Sequence, residues 1–199
     1  MTPLRLALVA VLAVAAGCAS TKLVSSWENP AVDQGPYTKL MIIALGVSPG
    51  TRAEFENSVA DALQAHGVIG VSSTSYFSDP SQMTREAVRK WVEQDGYQGV
   101  LVTRLVDVSK TQVYQPPQYG DFYGYWGYYG TTMVQPGYVI EQTNLVIDTD
   151  LFHAPNGEIA YTAESKSFDP SGRAQVIKEL TQLLVKDLTR RGLLPPKSQ

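Results

Sequence analysis

Residues 39 to 45 read KLMIIAL, an almost unbroken apolar run closed by Pro36 on one side and by Gly46, Pro49 and Gly50 on the other. That length and those flanks predict a strand buried on both faces rather than a helix. Before it, STKLVSSWENP (residues 20 to 30) alternates briefly and stops at Asn29-Pro30, which predicts an edge strand from Lys22 to Trp27. After it, Thr51-Arg-Ala-Glu54 has the spacing of a capping box, with a hydroxyl and a carboxylate placed for open backbone donors. Phe55, Val59, Ala62 and Leu63 then recur at helical spacing, and Gly67 stands where a left-handed cap is wanted. A short strand is expected from Val68 to Ser73. A second helix should start near Ser81 or Thr84, turn Ala87, Val88, Trp91 and Val92 inward, and end before Gly96.

From Gly99 to Val113 the pattern is that of a long strand. Its start, VLV, reads as buried on both faces, whereas Val106 and Val108 later alternate with Asp107 and Ser109, as on a strand with one wet face. Thr143, Leu145, Ile147, Thr149 and Leu151 share one face of a further strand; Asn144, Asp148 and Asp150 share the other. Pro155-Asn156-Gly157 signals a turn, because Asn and Gly accept positive φ at low cost. Ile159, Tyr161 and Ala163 form the expected inward face of the return strand. Asp169-Pro170 is expected to open a final helix with Val176, Ile177, Leu180, Leu183, Leu184 and Leu188 as its apolar stripe and Gly192 as its cap. The order β-β-α-β-α-β, insertion, β-β-α predicts an α/β fold: a mixed sheet packed by three helices in a two- or three-layer sandwich.

The head of the chain follows a different logic. MTPLRLALVAVLAVAAGC has one positive residue, Arg5, then an apolar run from Leu6 to Ala16, then Gly17-Cys18. A bilayer-spanning helix needs ~20 apolar residues, so this run reads as a signal-peptide core. Ala15, Ala16 and Gly17 before Cys18 resemble the lipobox of bacterial lipoproteins, with Ala15 where a larger aliphatic is usual. That resemblance implies residues 1–17 as signal peptide, cleavage before Cys18 and acylation of Cys18. The single cysteine has no partner for a disulfide within the chain. Ala19, in place of an aspartate, resembles outer-membrane sorting, so the expected address is the periplasmic face of the outer membrane. Residues 18–199 are then expected to be one periplasmic α/β domain, a size that suits a single core.

Losing Arg5 takes 16 basic residues to 15 against 19 acidic ones, a net charge near −4. No Lys/Arg cluster is present, which disfavours nucleic acid as a partner.

The segment STKLVSSWENP, the GVLVTRLVDV strand, the aromatic insertion, the EQTNL strand and the FDPS…IKEL closing helix together resemble a set of uncharacterised bacterial lipoproteins. The likeness runs from Cys18 to about Leu194, with Trp27, Arg104, Asn144 and Asp169-Pro170 at the pattern's positions. It brings no assigned activity and therefore no catalytic residues. The element order is also similar to periplasmic TolB amino-terminal domains and curli-secretion lipoprotein domains, a likeness of fold rather than function.

The residues offer little for catalysis. His66 and His153 are the only histidines, too few for a zinc site, and no nucleophile elbow, phosphate loop or EF-hand spacing is present. No metal and no cofactor are expected. His66, in the last turn of the first helix, would offset the carbonyl end of its dipole. Asp148 and Asp150 read as a solvated strand face, and Arg104 as an ion-pair partner of Asp107, Asp148 or Asp150. An envelope hydrolase using Asp148, Asp150 or Glu141 with Arg104 is the enzymatic alternative; convergence of those side chains would be its signature.

The insertion, residues 114–138, concentrates seven of the eleven tyrosines with five glycines and three prolines. Connections usually run ~2–6 residues, and much longer ones are commonly functional or disordered. Tyr119, Phe122, Tyr123, Tyr125, Trp126, Tyr128 and Tyr129 offer flat apolar faces at small rotamer cost, suited to an envelope protein or a glycan. A loop folded over the sheet and insertion at a membrane interface are the competing readings. The expected function is a non-enzymatic binding or scaffolding lipoprotein, with a structural subunit of an oligomeric envelope assembly as a further alternative.

Overall fold

The computed structural model describes residues 20–32, 35–115 and 138–197. Six strands and three helices follow in the predicted order: β1 (Thr21–Glu28), β2 (Lys39–Leu45), α1 (Pro49–Gln64), β3 (Ile69–Ser72), α2 (Arg85–Gln94), β4 (Gly99–Gln115), β5 (Tyr138–His153), β6 (Ile159–Phe168) and α3 (Arg173–Arg190). The strands form one mixed sheet in the order β1-β6-β5-β4-β2-β3. β2 pairs in parallel with β3 and β4, and every other pairing is antiparallel.

Alternation along β2 divides the interior in two. Leu40, Ile42 and Ala44 point into a large core with Phe55, Val59 and Leu63 of α1 and Val176, Leu180, Leu184 and Leu188 of α3. Met41 and Ile43 point the other way, into a smaller core with Val92 of α2 and Val100 of β4. Full burial of such side chains contributes ~1.5–3 kcal/mol each, so the two-helix face carries most of the stability. α1 lies so close to β3 that a Cβ on Gly70 would meet Ala60 Cα at 2.9 Å. Over β5, β6 and β1 the second face is open, and Trp27 stands 51% exposed there.

Several boundaries differ from the sequence expectation. Ser48, not Thr51, caps α1, with Pro49 following in the first turn and the Ser48 hydroxyl accepting from the Thr51 N–H. Glu54 is therefore free of the cap and pairs with Arg173 at 2.8 Å. The last helix opens at Arg173 rather than at Asp169-Pro170, because Asp169 has φ 43° and Gly172 takes the cap position. Ile159 faces solvent and Ala160 is buried instead, since the β5–β6 register shifts between Leu151 and Phe152. Tyr114, Gln115 and Tyr138, placed in the insertion, belong to β4 and β5.

Two buried charge networks hold the layers together. Arg52 and Glu56 are 1% and 0% exposed. Arg52 Nε donates to Glu56 at 3.0 Å and its Nη2 to Ser73 Oγ at 2.7 Å. Glu56 also accepts from the Ala44 N–H at 2.8 Å and the Ser72 hydroxyl at 2.7 Å, so α1, β2 and the end of β3 share one carboxylate. At the other end of the core, Asp187 accepts from the Tyr161 hydroxyl and Arg191 Nε, each at 3.0 Å, and from Arg190. Burial pulls its pKa up, but the Arg191, Ser26 and Tyr161 donors outweigh that and hold it below the usual range.

The start of the described chain is clamped as well. Glu179 of α3 accepts from the Thr21 N–H at 2.7 Å and the Ser20 hydroxyl at 3.1 Å. Partial burial raises this carboxyl's pKa, while hydrogen bonds from Gln175, Thr21 and Ser20 lower it further, to about 2. β1 thus leaves the body against the side of α3.

Removing one member of the inner pair strands a buried charge. Glu56→Leu is expected to lower unfolding free energy by about 3–5 kcal/mol, and the double variant Arg52→Met/Glu56→Leu by clearly less. Urea denaturation measures both; equal losses would refute the coupling. For Glu179 the folded pKa lies below the ordinary 4.5, so its contribution is complete above that pH and lost as pH falls through about 2. An NMR titration of the Thr21 amide should show that midpoint, and Glu179→Gln should remove it.

Candidate functional site

β2 leaves the sheet at Gly46, whose φ of 76° is left-handed and where a Cβ would sit 3.0 Å from the Leu105 carbonyl oxygen. The chain turns through Val47 and enters α1 at Ser48. On the far side, Asp169 ends β6 and donates its N–H to the Thr143 carbonyl at 2.7 Å, and Pro170 and Gly172 lead into α3. Both helices therefore start at the same end of the sheet, over β4 and β5. Deeper in, Ser58 and Thr181 approach to 3.3 Å and close the space between the helices.

Between the two first turns lies a cleft of about 520 Å³. Its floor is Thr103 and Leu105 of β4 with Thr143, Leu145 and Ile147 of β5; its walls are Val47 and Phe55 on one side and Val176, Ile177 and Leu180 on the other. At the mouth, Arg173 bridges the helices, its Nε donating to Glu54 at 2.8 Å and its Nη1 to the Thr51 hydroxyl at 3.4 Å. Among the described residues, Arg173 is the one ionisable side chain lining the cleft. The deep polar groups, Thr103 and Thr149, satisfy each other at 3.0 Å. Such a lining can hold an apolar group and orient a polar one, but holds no acid, base or nucleophilic thiol for bond breaking.

The residues of the enzymatic alternative do not converge. Arg104 meets Asp148 at 3.5 Å, in an exposed pair on the open face of the sheet. Glu141 lies on the opposite face of β5, seven positions away or roughly 23 Å along the strand, and pairs with Lys110 at 2.7 Å. Asp107 stands past a bulge, opposite Val146. His66 follows the end of α1 and bonds the Pro195 carbonyl at 3.0 Å, tying the C-terminal segment down instead of capping a dipole. His153 Nδ1 lies 3.4 Å from the hydroxyl of Tyr37, whose pKa burial pushes up to about 12. No group of three or more metal-ligating side chains occurs among the described residues.

Cys18 and the aromatic set Tyr119, Phe122, Tyr123, Tyr125, Trp126, Tyr128 and Tyr129 lie outside the described residues. What is described is the ribbon that leads to the aromatic set. β2 stops pairing with β4 at Arg104 and β6 stops pairing with β5 at Asn144, so residues 110–115 and 138–143 continue as two strands alone. That ribbon extends roughly 20 Å beyond the sheet.

The cleft is not legible in the apolar pattern of its floor. Thr143, Leu145 and Ile147 of its floor were read as one strand face, but Leu105 was missed: the alternation expected from Val106 and Val108, both exposed, is broken by the bulge between Leu105 and Asp107. Gly46 and the Asp169–Gly172 turn, which set the helix starts apart, were the available signal.

No family model matches the chain, and no curated protein matches it. Solved structures do. The PelC dodecamer from Paraburkholderia phytofirmans is similar over 89% of this chain and 99% of its own, at TM-score 0.45 and 16% identity. Lipoprotein GNA1162 from Neisseria meningitidis covers 77% of this chain and 99% of its own, at TM-score 0.43 and 11% identity. A minor lipoprotein from Acinetobacter baumannii covers 81% of this chain and 98% of its own, at TM-score 0.35 and 11% identity. None of the three is a TolB or curli-secretion domain by name, and with every TM-score below 0.5 function has to be argued from the residues themselves.

Proposed function

We propose that this chain is a lipid-anchored, non-enzymatic binding protein of the cell envelope, held at the periplasmic face of the outer membrane by acylated Cys18. The observation that carries the binding role is the cleft: an apolar site with hydroxyls and one bridged guanidinium at its mouth. The anchoring role is supported by the lipobox-like Ala15-Ala16-Gly17-Cys18 and by the absence of any second cysteine. A triacylated cysteine buries enough methylenes, at ~0.8 kcal/mol each, to make attachment effectively permanent.

A second contact is favoured by the ribbon of β4 and β5. Tyr114, Tyr138 and Val139 are exposed near its tip, where an isolated two-stranded hairpin is only marginally stable. The aromatic residues Tyr119 to Tyr129 continue from that tip and are proposed to contact an envelope protein or glycan.

Cys18→Ala should move the protein from the membrane fraction to the soluble one, and intact mass of the wild type should show acyl chains on a polypeptide starting at Cys18. A wild-type chain starting at Met1 without acyl mass would overturn the anchoring role. Deleting residues 119 to 130 should leave the melting temperature within a few degrees, because the core pairings of β4 and β5 lie elsewhere, while abolishing partners captured by in-membrane crosslinking. An unchanged crosslink pattern would remove the aromatic segment's role.

A further inference from the structure

The cleft mouth and Ser20, the first described residue, belong to the same end of the molecule. Ser20 accepts from the Phe168 N–H, and the next residue along, Asp169, donates to Thr143 on the cleft floor. Ser20 and Thr143 therefore sit two strand spacings apart, ~10 Å. Cys18 is two residues earlier, and two residues span at most ~7 Å. The Glu179 clamp on Ser20 and Thr21 leaves no longer leash than that. A domain anchored there must turn this end, with the cleft mouth and the β4–β5 ribbon, towards the bilayer.

The ribbon extends the cleft floor in that direction. Thr143 and Leu145 of the floor share a face with Val139, and across the pair with Val108 and Tyr114. Val108, Tyr114 and Val139 are exposed on that face, with Lys110, Gln112, Glu141 and Thr143 between Val108 and the Tyr114–Val139 tip. The mouth presents one cation and one anion side by side, Arg173 and Glu54, together with the Ser48 and Thr51 hydroxyls. The phosphate of a zwitterionic head group is opposite in charge to Arg173 and its ammonium opposite to Glu54. A volume of about 520 Å³ lined by Leu, Ile, Val and Phe falls within the range of small-molecule sites.

We propose that the cleft takes up one acyl chain of a zwitterionic bilayer phospholipid, with its head group held at the mouth between Arg173 and Glu54. This rests on the proposed acylation of Cys18, which turns the mouth to the membrane. The ligand is drawn from the bilayer because that is the phase the mouth faces.

The test uses the lipidated full-length protein in phosphatidylethanolamine vesicles doped with phosphatidylethanolamine carrying a diazirine at the end of one acyl chain. After irradiation, the labelled residues are mapped by mass spectrometry. Label is expected on Phe55, Leu105, Leu145 or Ile177. Leu145→Trp, which fills the floor, should cut it about tenfold at unchanged melting temperature, and Val47→Trp serves if that variant misfolds. Label confined to residues outside the cleft, or unchanged by filling it, would overturn the proposal. So would label in the cleft of the Cys18→Ala protein alone, since the protein's own acyl chain would then be the occupant. Intact mass separates the two readings: without acyl chains on Cys18 the anchoring reading fails. In that case the Cys18→Ala protein is mixed with dispersed lysophosphatidylethanolamine. A one-to-one adduct in native mass spectrometry, lost in Leu145→Trp, keeps the cleft as a lipid site, and no adduct ends it.

Discussion

The register of β5 is the constraint on which this molecule depends. The strand pairs with β4 along its whole length and with β6 over its second half, so its alternation is held from both sides. Ile147, Thr149 and Leu151 go into the large core, Thr143 and Leu145 into the cleft floor, and Asp148 and Asp150 to the open face. A slip of one residue would bury two carboxylates and expose the core side chains, an outcome far costlier than any single contact here. The bulge between Leu105 and Asp107 lets β4 follow β5 beyond the point where β2 has ended.

That strand architecture also gathers the cleft, the ribbon and the first described residues at one end. β2 runs towards it and stops; β4 runs through it and onward; β5 returns from it; β6 ends at it and β1 begins there. Helices that follow β2 and β6 must therefore start at that end, and the turns at Gly46 and Asp169 keep their first turns from closing together. The cleft is the space those turns leave. It remains apolar because its floor is the same inward face that makes the core.

Ionisable groups in this fold are mostly structural. Arg52 donates to Glu56 and Ser73, Glu56 accepts from the Ala44 N–H as well, and Asp187 has a tyrosine and two arginines around it. Catalytic groups are commonly left incompletely satisfied so that they can exchange protons or bonds with a substrate. Here the satisfied networks are buried, and among the described residues the cleft is nearly free of charge.

Local chemistry was enough to read much of this from the residues in order. The bounds of KLMIIAL, the two faces of β5, the positive φ of Gly67 and Gly192 and the element order all follow from periodicity and turn preference. Arg104 was read as one side of an ion pair, and the register chose Asp148 among its three candidate partners. Other features were invisible for a stated reason. Arg52 and Glu56 have the spacing of an ordinary surface pair, and only the packing of β3 over α1 buries them. Ile159 was misplaced because the shift between Leu151 and Phe152 is a property of two strands together. The helix starts moved because Ser48 and Gly172 compete for caps that Thr51 and Asp169-Pro170 also resemble. By itself the sequence determined the fold class, the order of the elements and the two faces of β5, all of which depend on neighbours along the chain. Only the tertiary structure decided that an apolar floor stays open as a cleft and shares an end with the first described residues, because a void depends on how far apart distant segments come to rest.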